Sequence, residues 1–104
     1  GDSVALRVDS SGQAISIHDH SEFMGFIGND SGKLFINAGG TEDTLLLKTN
    51  GNEKLRIDSG GQVIFKPMTT TQRDALTAQT GGVIYNSSTN KLQVYNGSAW
   101  VDLH

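Results

Sequence analysis

Cysteine is absent from the 104 residues, and proline occurs once, at Pro67. Without cysteine there is no disulfide staple, no thiolate zinc site and no cysteine nucleophile, and the redox compartment stays undetermined. Long hydrophobic runs are missing too: none exceeds three residues, as in Leu45-Leu46-Leu47 and Val63-Ile64-Phe65. A spanning helix needs about 20 consecutive apolar residues, so no membrane insertion is expected. Basic residues are outnumbered, eight Lys and Arg against eleven Asp and Glu, for a net charge of −3. A nucleic-acid clamp needs a basic face, so nucleic acid is not an expected partner.

What the chain does have is small polar residues. Gly, Ser, Thr and Asn fill 39 of 104 positions, against 36% hydrophobic and 18% charged. With β-branched residues spread throughout, this composition describes a turn-rich, mostly β chain. A lone domain of this size buries only about 60–65% of its unfolded surface. So few apolar residues imply a partner that completes the core.

Hydrophobic alternation marks the strands. Val4, Leu6 and Val8 alternate with polar residues, Asp9-Ser10-Ser11-Gly12 turns, and Ile15 and Ile17 alternate with Ser16 and His18. The unit returns at an offset of 49: over Leu6 to Ile15, seven of ten residues are identical to Leu55 to Ile64. That is an internal duplication. A shorter echo, Lys-Leu-x-Ile/Val, begins at Lys33, Lys54 and Lys91. It is expected to set Leu and Ile/Val on one sheet face and Lys on the other.

Between the copies, Met24–Ile27 and Lys33–Ile36 read as a hairpin with the loop Gly28-Asn29-Asp30-Ser31-Gly32. Leu45–Thr49 is a strand ended by Asn50-Gly51, a strong hairpin signal. After Pro67 the character changes. Residues 69–78 are the one helix candidate, capped by Thr70 or Thr71, with Asp74 near its positive end and Gly81-Gly82 as the stop signal. About two turns are not stable alone, so Ala75 and Leu76 are expected to dock. Val83–Tyr85, Leu92–Tyr95 and Ala99–Leu103 then form a three-strand meander. Residues 1–66 are thus a duplicated β region, and 67–103 a helix-plus-meander module.

The stretch Leu46-Leu47-Lys48-Thr49-Asn50-Gly51-Asn52-Glu53-Lys54-Leu55-Arg56-Ile57-Asp58-Ser59-Gly60-Gly61-Gln62-Val63 resembles a repeat common in bacteriophage tail fibres. Thr69–Leu76, followed by Gly82–Asn86, Asn90-Lys91-Leu92, Tyr95-Asn96-Gly97 and Trp100, resembles a terminal module of the same proteins. The usual Gly-Ile-Gly-Thr continuation of the repeat is replaced by Ile64-Phe65-Lys66-Pro67. The resemblance implies an intertwined parallel homotrimer of short-stranded, repetitive layers, like a β-prism or triple β-helix. The implied function is a structural and adhesive segment of a virion tail fibre, or an extracellular counterpart of bacterial phage-like origin. It would display a surface for host attachment through a cell-surface receptor, a glycan above all.

Candidate chemistry is sparse. His18-Asp19-His20 would place two imidazoles on one side of a strand. In a parallel trimer three copies would give six nitrogens, suited to an axial octahedral Fe or Ni, and the resemblance points the same way. The other reading is a pair of surface histidines after a strand end. Glu42-Asp43 reads as solvated charge, Asp9 and Asp58 as turn formers, and Asn29-Asp30-Ser31 as a turn with oxygens for a hard cation. No nucleophile elbow or phosphate loop occurs, so no enzyme is expected. Tyr85, Tyr95 and Trp100, with the loop residues Asn86, Ser87, Asn90 and Asn96, are the receptor candidates: aromatic faces pack on sugar rings while amides bond hydroxyls. Packing in a trimer interface is the competing use of the same aromatics. Two other functions stay open: a stand-alone carbohydrate-binding module and a purely structural trimerisation or tethering segment.

Overall fold

The computed structural model describes residues 12–40 and 42–104. The expected strand Val4–Val8 and most of its following turn lie outside the described residues. The chain divides into two compact units. One takes the described residues up to Leu45 with Ile57–Gln62; the other takes Leu46–Arg56 with Val63–His104. The fold is mostly β, with three small antiparallel sheets and one short helix.

The first sheet has the order β1 (Gly12–Asp19), β2 (Glu22–Asp30), β3 (Lys33–Ala38). The five-residue loop expected at 28–32 shrinks to Ser31-Gly32, with φ of 50° and 82°, a type I′ turn. Asn29 closes it by accepting the Gly32 N–H at 3.0 Å. That lets Gly28, Asn29 and Asp30 stay in β2, paired with Phe35, Leu34 and Lys33.

A β-bulge sorts the side chains of this sheet. Ile17 pairs with Gly25 and His18 with Phe23, so Met24 is the extra residue. Phe23 and Phe26 are three apart and would face opposite ways in a regular strand. The bulge returns them to one face, with ring centroids 5.9 Å apart and Phe35 edge-on to Phe26 at 5.2 Å. The position after the bulge must be glycine, because a Cβ at Gly25 would collide with the Asn37 carbonyl oxygen. The other face carries the row Ile15-Ile27-Ile36, with Ile17 and Ala38 beside it. Both faces are therefore apolar. The Lys33-Leu34-Phe35-Ile36 alternation is as expected, yet its aliphatic face is open: Leu34 is 80% exposed and Ile36 61%.

The second sheet runs β4 (Leu45–Thr49), β5 (Asn52–Ile57), β6 (Val63–Phe65). Asn50 and Gly51 make the β4–β5 turn, with φ of 51° and 77°. Asp58 organises the next turn: its Oδ1 accepts the N–H groups of Gly60 and Gln62, both at 3.0 Å. Its structural role is as expected; Asp9, its repeat counterpart, lies outside the described residues.

The helix α1 is shorter than expected, Thr70–Asp74, and its cap is Thr69 instead of Thr70 or Thr71. The cap moves because Gln72 completes a capping box: the Gln72 N–H donates to Thr69 Oγ1 at 3.2 Å, and the Thr69 N–H to Gln72 Oε1 at 2.9 Å. Asp74 is then not near the N-terminal end but is the last helical residue, paired with Arg73 at 2.8 Å. Ala75 is exposed, and Leu76 is 44% exposed at the rim of an open cleft of about 440 Å³ that also touches Phe65, Met68 and Val83. Their expected docking is thus at most partial.

The third sheet is the expected meander: β7 (Val83–Asn86), β8 (Lys91–Tyr95), β9 (Trp100–Asp102). Met68 joins it beside Asn86, its N–H donating to the Tyr85 carbonyl at 2.9 Å and its carbonyl accepting the Ser87 N–H at 2.8 Å. Among the described residues, Ile84 is the one buried hydrophobic side chain, and the buried polar ones are Asn86 and Gln93.

Candidate functional site

The receptor candidates all lie on the meander and its loops, and the sheet registers decide which of them can act together. Val83 pairs with Val94, and Val94 with Val101. Tyr85 is two residues from Val83 and shares that face. Gln93 pairs with Ile84 and Asp102, and Tyr95 with Trp100, on the opposite face. The sheet therefore separates Tyr85 from Tyr95 and Trp100. A single platform of three aromatics does not form.

Tyr95 and Trp100 do come together, with centroids 5.4 Å apart at an interplanar angle of 60°. The Arg73 guanidinium lies 5.9 Å from the Trp100 ring centroid, within cation–π range. Arg73 also donates to Gln93 Oε1 at 3.0 Å and to Asp74 Oδ1 at 2.8 Å. This places an aromatic pair, a guanidinium and a carboxylate on one side of the sheet. Such a set can stack on an apolar ring face and hydrogen-bond hydroxyls around it.

Asn86 belongs elsewhere. The loop reading places it at the surface; in the fold it is fully buried at the end of β7. Its Nδ2 donates to Thr70 Oγ1 at 3.0 Å and to Gln93 Oε1 at 3.2 Å, and its Oδ1 accepts the Ser88 N–H at 2.8 Å. Gln93 in turn donates to Asp102 Oδ1 at 2.7 Å. Every one of these groups has a partner, and none of the described buried side-chain polar atoms is left without one. A saturated buried amide has nothing to offer a receptor, so Asn86 is removed from the candidates. Gln93, Thr70 and Asp102 were invisible as a network in the sequence. Gln93 occupies an alternating strand position that reads as solvent-facing, and only the placement of α1 over that face buries it.

The loops keep their other candidates at the surface. Ser87 and Asn90 are exposed, and Asn90 turns the β7–β8 loop with φ of 57°. Asn96 is exposed, but its Oδ1 is occupied by the N–H groups of Ser98 and Ala99, both at 2.9 Å.

The histidine pair loses its geometric premise. β1 ends at Asp19, and His20 turns away with φ of 58°, so His18 and His20 are not consecutive same-face strand residues. The His18 ring packs edge-on against Phe23 at 5.6 Å, and His20 Nδ1 bonds Asp19 Oδ1 at 2.9 Å. This arrangement does not fit a paired imidazole ligand set. Among the described residues no group of three or more His, Cys, Asp or Glu could hold a metal ion. Asn29, read as a hard-cation oxygen, instead closes its own turn.

No protein-family model, curated protein or solved structure matches the chain.

Proposed function

We propose that this chain is a non-enzymatic structural and adhesive segment of a phage or virus-like tail fibre, and that it works as a parallel homotrimer whose short strands form shared prism-like layers. The observation that carries the proposal is the missing core. One hydrophobic side chain among the described residues is buried, while twelve large ones are 38–80% exposed. Soluble chains rarely leave so much apolar surface open without a protein partner. A second copy is the simplest partner for a chain built of uncharged sheet faces. The duplicated unit and the fibre-like repeat and terminal module supply the reading of that partner as two further copies. In the virion the tail-fibre segment would meet a host-cell glycan with Tyr95, Trp100 and the exposed loop residues Ser87, Asn90 and Asn96, and with Tyr85 from the opposite face.

Native mass spectrometry tests the assembly. The expected species has three times the 11.1 kDa chain mass; a stable monomer at micromolar concentration would sink the proposal. A second reading, a trimerisation or tethering segment that touches no receptor, is favoured by one observation: Asn86 and the side-chain oxygen of Asn96 serve the fold. Glycan-array binding by the assembled protein, lost on Trp100→Ala, separates the two.

A further inference from the structure

The β1–β2–β3 sheet holds a knob and a groove on one face. Leu34 pairs with Asn29 and stands on the same side as Ile36, at 80% exposure. Beside it lies a groove of about 230 Å³, lined among others by Ile17, Met24, Ile36 and Leu45. The bulge makes this groove: Met24 is the extra residue, and Gly25 next to it has no side chain to fill the space. Ile17 is 51% exposed and Met24 39%. No charged side chain belongs to the strand rows of this face, which are Ile15-Ile27-Ile36, Ile17-Gly25-Ala38 and Asn29-Leu34. A charged partner finds no complement here. An uncharged aliphatic surface with a protruding branched side chain does, and this chain carries one.

We propose that this aliphatic face is a self-association surface, with Leu34 of one copy seated in the Ile17–Met24–Ile36 groove of another. Knob and groove are different patches of the same chain, so the contact is head-to-tail, and such contacts close into rings when the rotation allows. The opposite face keeps the Phe23, Phe26 and Phe35 cluster and takes no part. The inference rests on the homotrimer reading for the number of copies, but not for the face used.

The cysteine-free sequence makes the test clean. Full-length chains carrying Leu34→Cys or Met24→Cys are mixed and oxidised, then separated without reductant. The disulfide-linked L34C–M24C pair is expected to exceed either homodimer at least tenfold. In parallel, Leu34→Asp is expected to weaken self-association at least 100-fold by sedimentation, with Lys33→Ser as the unaffected control. If the wild type assembles but Leu34→Asp assembles equally well, this face is not the interface and the fibre proposal stands. If the wild type is a monomer, both fail; a monomer whose melting temperature falls on Leu34→Asp would assign the face to residues 1–11 of its own chain. Should Leu34→Asp unfold by circular dichroism, the cross-link decides, and its absence overturns the proposal.

Discussion

Asn86 and Gly25 are the two residues whose chemistry the fold uses most fully. Asn86 satisfies Thr70, Gln93 and Ser88 from a fully buried position. Replacing it with Ala leaves the Gln93 and Thr70 groups short of a partner, and a buried unsatisfied polar group costs about 1–3 kcal/mol. Asn86→Ala should therefore lower unfolding free energy by about 2 kcal/mol in urea titration. A neutral result would mean that water replaces the amide. Gly25→Ala forces a methyl onto the Asn37 carbonyl oxygen across the β2–β3 ladder. It should destabilise by about 2 kcal/mol or more, with the loss seen as faster amide exchange in β2 and β3. His20 is the contrasting case. Its side chain is 95% exposed and meets only Asp19. His20→Ala should leave the melting temperature unchanged, with or without a chelator. A chelator-induced drop in the wild type that vanishes in this variant would restore the axial-metal reading.

At the level of strands, turns and the helix, turn chemistry sets the architecture. Asn50-Gly51 and Ser31-Gly32 adopt the left-handed pair of conformations that two-residue hairpins require. Both were legible in sequence, though only the first at its right length. The Ser31-Gly32 turn was obscured because Gly28, Asn29 and Asp30 carry turn composition while pairing as strand. The helix shows the same limit. Thr69, Thr70 and Thr71 can each cap, and the choice falls to the one with Gln72 three residues on. Thr69→Ala removes both reciprocal bonds. It should cost about 1 kcal/mol, with amide protection falling first at Gln72 and Arg73. Because Arg73 contacts Gln93 and Trp100, a frayed helix should also loosen the Trp100 ring, visible as a shift in its fluorescence. An unchanged emission maximum would argue that the sheet alone holds Trp100.

For the chain as a whole, the relevant quantity is apolar surface with nothing over it. The first sheet is apolar on both faces, and the meander presents Val83, Val94 and Val101 on the face away from α1. Val83 and Val101 are 38% and 42% exposed. If the meander also packs on another copy, Val101→Asp should weaken assembly by at least tenfold in dilution experiments while leaving the Asn86 network intact. Assembly that survives this substitution would confine the interface to the other parts of the chain. The aromatic pair Tyr95–Trp100 lies on the opposite face and stays available to a ligand in either case.

Local alternation and composition were enough to specify the strands, the tight turns, the duplication, the meander and the poverty of apolar residues. They also excluded any cysteine chemistry. They did not specify which face an alternating strand buries. Leu34 and Ile36 read as core and are open; Gln93 and Asn86 read as surface and are buried. Alternation gives two faces but not their neighbours, and burial depends on what packs over each face. It took three-dimensional packing to cover Gln93 with α1 and, through the bulge at Met24, to gather the phenylalanines on one side. The same packing leaves the aliphatic side of that sheet for something other than the described part of the chain.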